Sequence, residues 1–176
     1  MAVRPTSDRV KEALFSMLTS RFDLTRTMAL DLFAGTGSIG IEALSRGADR
    51  VVFVEQHRAA RGVLEANVEA CGFAERVEVL SVPVRDALRV LEARGAQFGG
   101  VFLDPPYRKG LLVETVERLG HARILKPGSW VMVERHIDDE LAEAYGALRL
   151  TQTRRYGKTA LSLYCVARET EQGRES

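Results

Sequence analysis

Met28-Ala29-Leu30-Asp31-Leu32-Phe33-Ala34-Gly35-Thr36-Gly37-Ser38-Ile39-Gly40 decides how the rest of the chain is read. Its first half is a short apolar strand, Met28 to Phe33, that carries an acid near its end. Its second half is a glycine turn that opens a helical pattern over Ser38 to Arg46. Gly35 and Gly37 permit a tight turn and close backbone approach to a ligand, and Gly40 lets the helix pack near a sheet. Glu55 closes the next apolar run, Arg50 to Val54, about twenty residues after Gly35, where a carboxylate can accept both ribose hydroxyls. Glycine turns also arise for packing alone. Strand before, helix after and acid beyond the next strand together imply a nucleoside-containing cofactor.

The spacing of Gly35, Gly37 and Gly40 also fits a dinucleotide fingerprint. Asp31 argues against that choice. A carboxylate at the end of the first strand would repel a pyrophosphate and attract the sulfonium and amine of S-adenosylmethionine. Phe33 and Ala34 complete the turn on the cofactor side.

Outward from this stretch, the chain alternates. Val10, Ala13, Leu14, Met17 and Leu18 share one face of an opening helix, with Thr6 or Ser7 as its cap. A helix with Ala60, Leu64, Val68 and Cys71 on one face follows the second strand; Val77 to Val82 is a third strand and Asp86 to Arg94 a short helix. Gly100 to Leu103 is the fourth strand, Leu112, Val116 and Leu119 mark another helix, and Ser129 to Val133 is the fifth strand. Such alternation predicts a parallel sheet covered on both faces. Leu148 to Tyr156 and Ala160 to Ala167, joined by Gly157-Lys158, predict a closing antiparallel hairpin with a type II′ turn. The expected architecture is therefore α/β: a central, mostly parallel seven-stranded sheet with a terminal antiparallel hairpin and helices on both faces. Residues 1–168 make one domain and 169–176 a polar, frayed tail.

Asp104-Pro105-Pro106-Tyr107 directly follows the apolar Val101-Phe102-Leu103. The carboxylate can accept a hydrogen bond from an amino group, and the prolines contribute carbonyls but no donors. Tyr107 offers a flat face on which a base can stack. Together these suit chemistry on an exocyclic amine of a nucleobase. Asp86, after the third strand, reads either as a helix cap or, with the Ala87 amide, as the group that meets an adenine ring.

The chain has 176 residues, 45% of them hydrophobic and 28% charged, with a formal net charge of +1. That balance excludes a strongly basic, histone-like binder but not a local basic face. No apolar stretch approaches a membrane span and the first residues carry no signal-peptide core, so a cytoplasmic location is expected. Cys71 and Cys165 read as reduced core residues, and the three histidines show no metal-ligand spacing.

Several stretches resemble a known family more specifically. They are Arg4-Pro5-Thr6 with Asp8-Arg9-Val10-Lys11-Glu12-Ala13-Leu14-Phe15, Leu30 to Gly37 with Gly40-Ile41-Glu42-Ala43-Leu44-Ser45-Arg46, and Asp104 to Tyr107 with Lys109-Gly110-Leu111. In this order they are similar to the RsmD-type bacterial guanine-N2 methyltransferases, which modify one guanine of small-subunit ribosomal RNA. The resemblance runs from Arg4 to about Arg168. It implies a Rossmann-like class I fold, S-adenosylmethionine as cofactor, and Asp104, Pro105 and Tyr107 as catalytic residues acting on a flipped guanine.

Two departures stand out. Family members carry a basic segment ahead of the Arg-Pro-Thr motif, where only Met1-Ala2-Val3 stand here, so a weak grip on free RNA and an assembled subunit as substrate are expected. Lys11 also stands where arginine is common, which loses a bidentate fork. Arg4, Thr6, Arg108, Lys109, Arg154, Arg155 and Lys158 are the candidates for contact with RNA, and a monomer is expected. From the residues alone, a DNA adenine-N6 methyltransferase and a nicotinamide-dependent oxidoreductase stay open as rivals.

Overall fold

Met28–Leu32, Arg50–Val54 and Phe98–Leu103 are short strands, apolar and buried along most of their length, as required when helices cover both faces of a sheet. The computed structural model describes residues 7–108 and 110–169. Arg4, Thr6 and Lys109 thus lie outside the described residues. The order of elements is α1 (Asp8–Thr19), β1 (Met28–Leu32), α2 (Ser38–Ser45), β2 (Arg50–Val54), α3 (Arg58–Ala70) and β3 (Val77–Leu80). Then come α4 (Val84–Ala93), β4 (Phe98–Leu103), α5 (Leu111–His121), β5 (Leu125–His136), β6 (Ala144–Tyr145), β7 (Leu148–Tyr156) and β8 (Thr159–Val166).

The strands form one sheet in the order β3-β2-β1-β4-β5-β8-β7-β6. β1 to β5 run parallel, and β8, β7 and β6 each pair antiparallel with their neighbours. The order reverses between β1 and β4, and in open α/β sheets the crevice beyond the strand ends at such a switch is where ligands bind.

Period-2 alternation sorts the strand side chains into two cores. Ala29, Val51, Phe53, Phe102, Trp130 and Met132 face α1, α2 and α3. Leu30, Val52, Val54, Val101, Leu103 and Val133 face α4 and α5. Trp130 and Phe15 are almost wholly buried, and each side chain of this size contributes roughly 1.5–3 kcal/mol of hydrophobic stabilisation. Two glycines make this packing possible. A Cβ on Gly40 would lie 2.3 Å from the Phe53 ring, and one on Gly100 would lie 2.1 Å from the Trp130 indole. Helix α2 can approach the sheet, and the indole can cross β4, only where those carbons are missing.

Some expectations need correction. The sheet has eight strands, not seven. The extra strand, β6, is two residues long, too short for any periodicity to register, and it closes through Gly146, where a Cβ would lie 2.2 Å from the Gly120 carbonyl oxygen. Cys71 is exposed and Cys165 only partly buried. α3 ends at Ala70 and the chain turns away at Gly72 (φ 74°), which takes Cys71 off the buried face before it can be covered.

Helix α4 starts at Val84 after Pro83, so Asp86 sits inside its first turn and does not cap it. β5 extends well beyond the expected Ser129 to Val133, because β8 continues to pair with it as far as His136. The β7–β8 turn is as expected, with Gly157 at φ 58° and Tyr156 paired to Thr159. At the other end of the described chain, the Ser7 hydroxyl caps α1 by accepting from Val10 N–H.

Candidate active site

The turn after β1 is built from unusual backbone. Phe33, Gly35 and Gly37 all have positive φ (58°, 56° and 82°). For Phe33 that conformation is strained, and such outliers concentrate where surrounding structure holds a functional loop in place. Here the holding bonds come from both sides. Ala34 N–H donates to the Val54 carbonyl at 3.0 Å, Gly37 N–H to the Ala34 carbonyl at 2.8 Å, and the Asn67 side chain to the Thr36 carbonyl at 3.0 Å.

Two buried carboxylates complete the turn. Asp31 Oδ2 accepts from Gly40 N–H at 3.0 Å, satisfying one of the donors that the start of α2 leaves without an intrahelical partner. Glu55 Oε2 accepts from Gly35 N–H at 2.9 Å, and its Oε1 from His57 N–H at 2.7 Å. Each oxygen keeps a second lone pair for a ligand hydroxyl. Burial pushes the Asp31 carboxyl up to about 8; the Gly40 N–H opposes the rise, and the charges of Asp104 and Glu55 add to it. A site that makes a carboxylate this uncomfortable is stabilised by an incoming cation.

Below this turn lies a cavity of about 1330 Å³ that runs from the glycine loop across the ends of β4 and β5 to the β7–β8 turn. Asp31, Phe33, Ala34, Gly35 and Glu55 line one end. Asp104, Pro105 and Tyr107 line the middle, and Arg108 and Lys158 the far side. Tyr107 lines this cavity yet keeps 85% of its surface exposed, so its ring is not packed into the protein.

Other expected residues stand elsewhere. Gly37 is not on the cavity wall; a Cβ there would lie 2.1 Å from Leu64, so its part is to turn the chain and let α3 pack. Beyond β3 the wall is made by Val82 and Val84, while Ala87 is buried in the core and Asp86 lies near Arg89, outside the lining. Arg154 and Arg155 do not line the cavity either. They are consecutive on β7, so alternation sends them to opposite faces and only one can share a surface with Lys158.

The cavity also contains residues not anticipated from the sequence: Arg9, Glu134, His136 and Tyr156. For Glu134 a signal was present. Val52-Phe53-Val54-Glu55, Val101-Phe102-Leu103-Asp104 and Val131-Met132-Val133-Glu134 are three copies of one pattern, an apolar run closed by an acid.

This sheet order, glycine turn and acid set define the Rossmann-like class I fold of the S-adenosylmethionine-dependent methyltransferases. The chain belongs to the family described as Conserved hypothetical protein 95, whose model matches residues 1–165. YlbH of Bacillus subtilis (strain 168) is 34% identical over 163 residues, 93% of this chain and 88% of its own. The ribosomal RNA small subunit methyltransferase D of Escherichia coli (strain K12) is 33% identical over 162 residues, 92% of this chain and 79% of its own. Among solved structures, a conserved hypothetical protein of Streptococcus pyogenes superposes with a TM-score of 0.81 at 31% identity, covering 89% of this chain and 94% of that one.

Proposed function

We propose that this protein transfers a methyl group from S-adenosylmethionine to the exocyclic N2 amine of a guanine in small-subunit ribosomal RNA. The observation that carries the reading is the placement of Asp104-Pro105-Pro106-Tyr107 in the same cavity as the Asp31–Glu55 turn, across the topological switch from it. Relatives named as small-subunit ribosomal RNA methyltransferases supply the substrate class.

The residues present fit that cofactor. Glu55 retains acceptor capacity for ribose hydroxyls, Val82 and Val84 offer an apolar wall to a flat ring, and Asp31 favours positive charge. When bound, S-adenosylmethionine supplies a methyl already activated by its sulfonium. The protein's part is then to present the amine. The N2 lone pair of guanine is delocalised into the ring, and Asp104 with the Pro105 carbonyl can accept its two hydrogens, turning the nitrogen toward tetrahedral geometry. Transfer would exchange the cofactor's S–CH3 bond for the new N–C bond, leaving a neutral thioether, and the amine's surplus proton would pass to Asp104 or to water at the open side of the cavity. Tyr107 stacks on the base once it has left its own helix or loop. Positioning and electrostatics carry the rate.

The favoured substrate in this reading is an assembled or partly assembled small subunit, met by a monomer in the cytoplasm. Basic and acidic residues nearly cancel, 25 against 24, which gives little general pull on free RNA. Among the described residues no helix is long and apolar enough to cross a membrane. The deciding experiment compares methyl transfer to naked small-subunit RNA, to small subunits from a strain lacking the enzyme, and to duplex DNA at physiological salt, with the product nucleoside identified by mass. N2-methylguanosine formed on subunits is the expected result. N6-methyladenine formed in DNA would overturn the substrate, and efficient transfer to naked RNA would overturn the preference for subunits.

A further inference from the structure

Asp104 follows Leu103 directly, and Leu103 is in register with Val133 on the parallel neighbour β5. The residues that follow this last register pair, Asp104 just beyond β4 and Glu134 within β5, are therefore brought to the same point of the sheet edge. The two also open into the same space. Met132, two residues before Glu134, belongs to the core under α1, α2 and α3, so alternation turns Glu134 to that side, as it does Asp31 two residues after Ala29 at the other end of the cavity that Asp104 lines. Both line the one cavity, and Glu134 is only partly buried, at the point where β5 leaves the core.

This pairing matches a feature of guanine that no other standard base shares. Its N2 amine and its N1–H are bonded to the same ring carbon and both donate along the Watson–Crick edge. If Asp104 takes the amine, a second acceptor one strand over is set to take N1–H. Adenine presents a lone pair at N1, which a carboxylate repels. Sites built to hydrogen-bond a donor reject analogues that lack it strongly, because the partner group is left unpaired on binding.

We infer that Glu134 accepts the N1–H of the target guanine and so selects guanine over bases that offer a lone pair at that position. This rests on the guanine-N2 reading above and adds a specificity-determining residue to it. Nothing in the chemistry of the methyl group requires Glu134. Its effect should fall on which base is accepted.

The test uses small subunits reconstituted with RNA in which the mapped target guanine is replaced by 2-aminopurine. That base keeps the amine on the same carbon and carries a lone pair at N1. Wild-type protein should prefer guanine strongly. Glu134→Gln should lower kcat/KM for guanine by ~10- to 100-fold, the loss of a hydrogen bond to a charged acceptor. It should also narrow the preference by at least ~10-fold, because an amide can donate to N1 of 2-aminopurine as well as accept. Cofactor affinity should stay at the wild-type value. Asp104→Asn, the control, should slow both substrates with the preference unchanged. An unchanged preference in Glu134→Gln, with N2-methylguanosine still the wild-type product, overturns the role of Glu134 alone. Absence of N2-methylguanosine from the wild-type reaction overturns the guanine reading and this inference together.

Discussion

Glu55 and Gly35 are joined by a 2.9 Å hydrogen bond from the glycine N–H to Oε2, although they belong to different strand-to-helix turns. The bond locks the strained loop after β1 to the end of β2 before any ligand arrives. The carboxylate proposed to read a ribose also holds the loop in shape, so its removal should be felt in both binding and stability. Binding costs fall when a site is ordered in advance.

Glu55→Ala should weaken binding of S-adenosylhomocysteine by ~1–3 kcal/mol, the scale of hydrogen bonds to a charged group. It should also lower Tm in the absence of ligand, since the Gly35 and His57 amides lose their acceptor. Calorimetric titration and thermal melting check the two halves separately. Wild-type affinity in this variant would remove Glu55 from the cofactor site.

Asp31 links cofactor binding to pH. Its carboxyl is raised from 3.8 to about 8 in the folded protein, chiefly by burial, so folding favours the protonated form. The stability this confers is complete below 3.8 and is lost as pH rises toward 8. A bound cation favours the carboxylate, so binding below about pH 8 releases a proton. Affinity for S-adenosylmethionine should therefore climb with pH, by at most ~10-fold per unit, and level off above that point. Titrations in two buffers of different ionisation enthalpy measure the released proton directly. A wild-type affinity indifferent to pH, or a pH dependence that survives unchanged in Asp31→Asn, would contradict this account.

Asp104→Ala should bind cofactor normally and lose methyl transfer by at least ~100-fold, the usual loss for a positioned polar group in a transition state. Tyr107→Ala should be slower than Tyr107→Phe, because stacking needs the ring and not the hydroxyl. Single-turnover rates at saturating cofactor separate these effects. A collapse of cofactor affinity in Asp104→Ala, with turnover preserved at saturation, would make Asp104 a cofactor residue.

Charge reversal distinguishes the hairpin residues from one another. Lys158→Glu should raise the substrate KM more than Arg155→Glu, because Lys158 lines the cavity and Arg155 does not. Cofactor affinity should hold in both. Equal effects from the two would mean that RNA contacts both faces of β7.

The glycines offer a stability test that needs no substrate. Gly40→Ala should cost ~1–3 kcal/mol, typical of overpacking, since the added carbon meets the buried Phe53 ring at 2.3 Å. Gly62, inside α3, has nothing within 4 Å of such a carbon. Gly62→Ala should stabilise by ~0.5–1 kcal/mol, through helix propensity and a less disordered unfolded chain. Urea denaturation of the pair checks the opposite signs.

Local chemistry was legible in the sequence. Apolar runs closed by Asp31, Glu55 and Asp104, separated by helical periodicity, imply parallel strands whose acids gather at one sheet edge, because a βαβ connection returns each strand in the same direction. The glycine turn and the Asp104–Tyr107 tetrapeptide state their own needs for backbone freedom, acceptors and stacking. What the sequence could not decide is which distant residues become neighbours. Residue spacing does not reveal that β4 lies beside β1 and β5, and only that order brings Glu134 and Asp104 to one cavity at the sheet edge.

Burial is equally a property of the assembled fold. Cys71 leaves its helix face because the helix stops, and Asp86 gives up the cavity wall to Val82 and Val84 because α4 begins early. Arg154 and Arg155, adjacent in the chain, part company through the two-residue period of a strand. The raised pKa of Asp31 has the same origin: the sequence places the acid, but only packing on both sides of the sheet takes away its water.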